Sequence, residues 1–339
     1  MAEPDYSKPE LELLVCPRCG NGLLATANEL GCSTCQSSYA VSEEGIPLLF
    51  WPTESALPQG DVTEVVKAFY EQNPFPNYDD LDSRESLARK ASRGVFARLL
   101  TEQIPANSVV LEVGCGTGQL SNFLGMRWDR KMYGADICLN SLRLAKGFRD
   151  RYSIRNTTFV QMNLFRPVFA PESFDIVISN GVLHHTADTY AAFRSISRLV
   201  KPGGYILIGL YNVIGRLPTD FRRFLIRNLG DGARLLDSHL RNKTYNEARK
   251  RAWFMDQYKH PHERKHSFSE VVQWYEANGF EFVSSIPRID GAAVSDHDAL
   301  FEPQNKGTAF SRFSTELKML MAGGADGALF IVIGRKRAT

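Results

Sequence analysis

Short apolar runs rich in β-branched residues recur along the middle of the chain: VVLEV at 109–113, KMYGAD at 131–136, TTFVQM at 157–162, FDIVIS at 174–179 and YILIGLY at 205–211. Segments of roughly helical length separate them, a pattern that predicts parallel βαβ units with right-handed crossovers. Two further strands are expected late in the chain, FEFVSSI at 280–286 and ALFIVIGRK at 328–336. Ahead of this α/β core, TEVVKAFYEQ has helical spacing. A second helix is predicted from about Arg84 to Gln103, with Leu87, Ala91, Val95, Leu99 and Leu100 on one face. Asp82 with Glu85 is read as a variant capping box for it, and Ser267 with Glu270 as the box for a later helix that stops at Gly279.

Composition adds limits. The 339 residues are 43% hydrophobic and 23% charged, in the range of a folded globular chain with room for one large domain and a smaller one. The start, MAEPDYSKPE, has no apolar h-region, and no apolar stretch approaches a membrane span, so a cytoplasmic protein with no membrane partner is expected. Net charge is only +2, yet residues 211–265 hold 13 Lys and Arg against 6 Asp and Glu. Two readings of that excess stand: a solvated helical insertion, or an electropositive face for an anionic substrate or RNA.

Four of the six cysteines, Cys16, Cys19, Cys32 and Cys35, form C-x2-C-x12-C-x2-C. Two such thiolate knuckles suit one tetrahedral zinc with no open position, hence a structural ion. Cys115 and Cys138 are read as small buried hydrophobes. LELLVCPRCGNGLL followed by ELGCSTCQSSYAVSEEGIPLLF resembles the Trm112-like zinc-ribbon family over residues 11–50. That resemblance implies a small β module, spanning 1–50, which accompanies or activates a methyltransferase. Some 40 residues bury too little to fold alone, so metal would supply much of the folding energy. A polar linker and lid helices would then occupy 51–104.

VLEVGCGTGQL (110–120) predicts a strand, a glycine turn and a helix start. Its glycines are Gly114, Gly116 and Gly118, and the third glycine of a dinucleotide fingerprint is replaced by Gln119. The stretch resembles motif I of the class I S-adenosylmethionine-dependent methyltransferases, of the type-11 kind. FDIVISNGVLHHT (174–186) resembles that family's motif IV region, and LVKPGGYILIG (199–209) its fifth-strand turn. The resemblance implies a Rossmann-like seven-stranded α/β sheet over 105–339, with helical insertions at about 211–267 and 287–327. It further implies S-adenosylmethionine held by Glu112, Gly114, Cys115, Gly116, Gly118 and Gln119, by Asp136 on the ribose, by Asn163 at the adenine, and by Ile137, Leu164, Asn180, Gly181 and His185. Asp136 alone does not separate this family from dehydrogenases, since both place a carboxylate on a ribose.

Methyl transfer from a sulfonium requires alignment, and a general base only when the acceptor is protonated. His184 and His185 follow the fourth strand, where ligands bind in open α/β sheets, and are candidates for base or pocket wall. Tyr70, Phe75 and Tyr78 fall in FYEQNPFPNYDD, either a lid over the cofactor or core packing. NPFP there precedes the core and is no N-P-P-Y motif. In FMDQYKHPHERKH (254–266), Asp256, Tyr258 and His260 are candidates for an acceptor-binding loop, and His262 with His266 for a metal pair on one helical face. Arg288, Asp298, Phe301 and Lys306 in the last insertion receive no role. The expected function is methylation of a small metabolite at O, N or C. RNA methylation, or a non-catalytic module, are the competing readings. The sequence says nothing of oligomeric state.

Overall fold

The computed structural model describes residues 11–26, 29–52, 62–76, 78, 83–230, 236–295, 298–322 and 325–338. Three short antiparallel strands open the chain, β1 (Leu24–Ala25), β2 (Glu29–Gly31) and β3 (Ser38–Ala40). Helices α1 (Thr63–Gln72), α2 (Arg84–Arg93) and α3 (Val95–Gln103) lead into the main sheet. Then come β4 (Ser108–Val113), α4 (Gln119–Leu124), β5 (Arg130–Asp136), α5 (Leu139–Arg151), β6 (Thr157–Gln161), β7 (Phe174–Asn180), α6 (Thr189–Ser197) and β8 (Val200–Tyr211). A helical cap of α7 (Leu217–Leu229), α8 (Ser238–Arg241) and α9 (Glu247–Lys259) precedes α10 (Phe268–Ala277), β9 (Phe280–Ile286), α11 (Ala309–Met321) and β10 (Leu329–Lys336).

The seven main strands lie in the order β6-β5-β4-β7-β8-β10-β9. The five from β6 to β8 are parallel, and β10 runs antiparallel to both β8 and β9. Chain direction across the sheet reverses between β4 and β7, so the crevice outside their carboxyl ends is where a ligand belongs.

Three local expectations change. The helix predicted over 84–103 breaks at Gly94, whose backbone is extended (φ −84°, ψ 123°). Its N-cap is Ser83, bonded reciprocally with Ser86, and Asp82 lies outside the described residues. Strand β8 begins at Val200 rather than Tyr205, because Lys201-Pro-Gly-Gly is absorbed into the ladder by a register shift opposite Phe174 and Ile176, with Gly203 taking a left-handed backbone (φ +76°).

No helix fills the β6–β7 connection among the described residues, and the N-terminal ribbon stands in its place. Gln161 at the sheet edge exchanges backbone bonds with Pro47 (2.9 Å) and Leu49 (3.1 Å), and Val15 and Leu13 bond to Val168 and Ala170. Leu14, Leu30, Tyr39 and Leu49 share one buried cluster with Tyr133, Val160 and Phe169. The ribbon therefore closes an edge that would otherwise present unpaired backbone groups. Its four sulfur atoms lie within 4.8 Å of one another, with Cys16–Cys35 at 3.6 Å and Cys19–Cys32 at 3.4 Å. Thiolates 2.3 Å from a tetrahedral zinc stand about 3.8 Å apart, so the cluster fits a zinc ribbon.

Candidate active site

A cavity of about 410 Å³ occupies the crevice at the carboxyl ends of β4, β5 and β7. Its floor is the glycine turn. Gly118 (φ +72°) begins α4 in a left-handed conformation, and a Cβ there would stand 2.6 Å from Ala145 and 2.8 Å from Phe159. At Gly116 a Cβ would run into the Phe75 carbonyl, so only glycine lets the lid segment lie on the turn. The lid is α1 and the residues after it. Thr117 donates to the Pro76 carbonyl, and Asn122 to the Tyr78 hydroxyl (3.1 Å). The Glu71 carboxylate accepts from Leu139 N (2.8 Å) and Asn140 N (3.0 Å), capping the start of α5.

Asp136, at the end of β5, faces this floor. Its two oxygens accept from Gly116 N (2.7 Å) and Cys138 N (2.8 Å), which fixes the carboxylate plane and leaves a second lone pair on each oxygen. Glu112 is buried and accepts from the Ser121 hydroxyl. Burial pushes its carboxyl up to about 8, and pushes Asp136 up as well.

Most of the expected cofactor residues come together on this wall: Tyr70, Glu112, Gly114, Cys115, Gly116, Gln119, Asp136, Ile137, Asn163, Leu164, Asn180, Gly181 and His185. Gly118 lies below it, as a packing position. The amide of Asn163 is already engaged, donating to the Trp51 carbonyl (2.9 Å) and accepting from Phe165 N (3.0 Å), so it ties the chain leaving the ribbon to the cavity wall. Phe75 joins Tyr70 on the wall, whereas Tyr78 stacks on Phe148 with centroids 4.6 Å apart.

The histidines separate into different environments. His185 lines the cavity, and its Nδ1 lies 2.9 Å from the His262 carbonyl oxygen. A carbonyl only accepts, so Nδ1 carries the hydrogen and Nε2 keeps a lone pair, which has no partner among the described residues. Burial lowers the imidazole to about 4. His184 does not reach the wall; it is buried beneath, tilted against the Tyr211 ring at 4.0 Å. His260 packs on His185 with centroids 3.7 Å apart, and burial and that neighbour lower it to about 3. Tyr258 turns away from the cavity and donates to Asp237 (2.6 Å) at the start of α8.

The expected acceptor loop is in part a helix, since Asp256 and Tyr258 belong to α9. Residues 260–266 form an extended strap, so His262 and His266 share no helical face, and the four cysteines are the metal-ligating group among the described residues. The strap is clamped to the turn after β7: His262 Nε2 lies 3.0 Å from the Thr186 carbonyl, and Arg264 N donates to the His184 carbonyl (2.8 Å). Glu263 anchors it further. Although burial alone raises its carboxyl, Arg216 (2.7 Å) and Arg223 (2.6 Å) hold it at about 2.

Asp256 completes the wall. It is buried, accepts from the Tyr70 hydroxyl (3.0 Å) and from Gln257 Nε2 (2.8 Å), and burial pushes its carboxyl up. Gln257 also donates to the Tyr211 hydroxyl (2.8 Å). Gln257, Tyr211 and Trp253 are wall residues that the sequence pattern does not single out.

The cavity wall thus carries three carboxylates, Glu112, Asp136 and Asp256, and no Lys or Arg among its described residues. That lining suits a cation. It opposes the pyrophosphate of a dinucleotide, for which it offers no cationic partner.

Residues 111–208 match the family described as a methyltransferase domain. Over those residues, less than a third of its length, the chain carries a methyltransferase domain. Its sheet has the class I, Rossmann-like arrangement with a ribbon appended. Among relatives, an uncharacterised Synechococcus protein is 25% identical over 256 residues, 68% of this chain and 61% of its own length. A ubiquinone biosynthesis O-methyltransferase of Albidiferax ferrireducens is 29% identical over 117 residues, 34% of this chain and 45% of that one. Among solved structures, a complex between the Haloferax volcanii Trm112 methyltransferase activator and a methyltransferase is similar at 13% identity, covering 75% of this chain and 93% of that one, with a TM-score of 0.46. The methyltransferase domain occupies the centre of the chain, and the residues on either side supply the lid, the strap and the ribbon.

Proposed function

We propose that this chain transfers a methyl group from S-adenosylmethionine to a small metabolite or biosynthetic intermediate. The observation that carries the reading is the acid-lined, cation-free cavity. When bound, S-adenosylmethionine supplies an electrophilic methyl group on a cationic sulfonium. Asp136 accepts from the ribose hydroxyls, Glu112 faces the cofactor's ammonium group through the glycine turn, and α1 with Phe75 excludes water. His185 takes a proton from a hydroxyl or ammonium acceptor on its Nε2, held for that by the bond from Nδ1 to the His262 carbonyl. His260 positions the His185 ring, and Asp256, steadied by Tyr70 and Gln257, holds the acceptor's polar group. His184 and Tyr258 act only through packing and the α8 cap. The four cysteines hold a structural zinc.

RNA as acceptor is the weaker reading. The excess of basic residues lies in 211–265, but none of the described ones lines the cavity, so the wall itself offers a phosphate backbone no cation. The test is formation of S-adenosylhomocysteine from S-adenosylmethionine, with either a metabolite extract freed of macromolecules or total RNA as acceptor source. Turnover with the extract alone is expected, and turnover with RNA alone would overturn the reading. His185→Gln should lower that turnover on the order of 10²-fold or more with cofactor affinity unchanged. Because the imidazole is lowered to about 4, it is neutral above that pH, and wild-type turnover should show no acid limb at the ordinary histidine value.

A further inference from the structure

Two helices turn apolar side chains to water. The outer side of α7 carries Leu217, Phe221 and Phe224, and that of α11 carries Phe310, Phe313, Leu317 and Met321, all 40–79% exposed. Steps of three and four residues put each set on a single stripe, opposite the buried Ile226 of α7 and Thr315 of α11. The helices meet end to start: a Cβ on Gly215 would stand 3.0 Å from that of Met319, and Thr219 and Ala322 line one small cleft of about 80 Å³. Exposed apolar stripes on two elements that meet mark an interaction site.

Charge selects what covers it. On these two helices the exposed charged side chains are Arg227 and Lys318, both cations. The one partly exposed acid, Asp220, is bound by Lys265 at 2.6 Å. Residues 211–265, which include α7, carry an excess of seven positive charges in a chain of net +2, which leaves the remainder net negative. A second copy on this surface would bring two basic faces together. A nucleic acid would meet the cations and leave Leu217, Leu317 and Met321 without partners.

We propose that α7 and α11 form a docking surface for an anionic lipid bilayer, on which the protein lies without crossing it. The apolar stripes enter the boundary between headgroups and acyl chains, while Arg227, Lys318 and the basic cap meet anionic headgroups. No helix of the described residues is long and apolar enough to cross a membrane. The expectation of no membrane partner rested on the lack of a span, and a helix lying in the interface needs none.

The full chain sedimented with vesicles tests this. Vesicles of phosphatidylcholine with phosphatidylglycerol should bind at least about tenfold more protein than phosphatidylcholine alone, and salt should weaken the binding. Phe221→Ser with Phe224→Ser and Phe313→Ser should lower binding about tenfold or more, as should Arg227→Glu with Lys318→Glu. None of these residues touches the cavity, so S-adenosylmethionine affinity and the melting profile report that both variants fold. Equal, weak sedimentation with both vesicle types overturns the proposal. So does a dimer in sedimentation equilibrium that the phenylalanine changes dissolve, or binding to an RNA oligomer with none to anionic vesicles.

Discussion

Asp136→Ala should lower the affinity for S-adenosylmethionine on the order of 10²–10⁴-fold in a calorimetric titration. The carboxylate is held in plane by two backbone donors, Gly116 N and Cys138 N, and so meets a vicinal diol without reorganising. A hydrogen bond to a charged group contributes about 1.5–3 kcal/mol, and the ribose offers two. Removal also leaves those two N–H groups unpaired, while relieving a carboxylate that burial holds above its usual range. The fold should therefore survive with a modest change in melting temperature. Asp136→Asn keeps one acceptor and should fall between the two proteins. Wild-type affinity in Asp136→Ala would remove the ribose from this position and with it the orientation of the ligand.

Cys32→Ser should be the most destabilising single change outside the cavity. Cys32 is buried and donates its backbone N–H to Ser37 inside the second knuckle. Loss of one of four ligands would release a zinc ion held by this cluster, and binding of such an ion is itself folding free energy. A cost of about 4 kcal/mol or more is expected, read as a lower melting temperature. The loss should also reach the cavity. Residues 47–49 would leave the β6 edge, and the Trp51 carbonyl would leave Asn163. A strong chelator should then reproduce both the lower melting temperature and a weaker S-adenosylmethionine affinity in the wild-type chain. Protein that contains no zinc by elemental analysis, and melts alike with and without Cys32→Ser, would contradict this.

What could be read in advance follows from where the determining contacts lie. The seven strands are legible because each is a short apolar run whose burial is set by its own residues, and the glycine turn because its left-handed backbone demands glycine locally. The four-cysteine cluster is legible from ligand spacing, and the ribbon around it from the resemblance of residues 11–50. The helix break at Gly94 is not legible because an apolar face continues across it, and a pattern of burial carries no information on one residue's backbone angle. The strap is not legible for a different reason. His185 and His262, His262 and Thr186, and Arg264 and His184 meet across 76–80 residues, and nothing in either segment encodes the partner. Glu71 is similar: it caps α5 from another helix, where a local reading finds only a solvated acid. Tyr258 and His260 looked equivalent in sequence, yet helix geometry sends one toward Asp237 and the other onto His185.

Calorimetric titration of the wild-type chain with S-adenosylmethionine and with a nicotinamide dinucleotide, at several pH values, tests the acid-lined cavity most directly. Glu112 lies at about 8 when the cavity is empty, so a bound cation favours its ionised form and binding is coupled to proton loss. One equivalent of S-adenosylmethionine should bind, with affinity rising as pH increases toward about 8 and levelling above it. The dinucleotide should not bind. Tight binding of the dinucleotide together with indifference to S-adenosylmethionine would contradict the account.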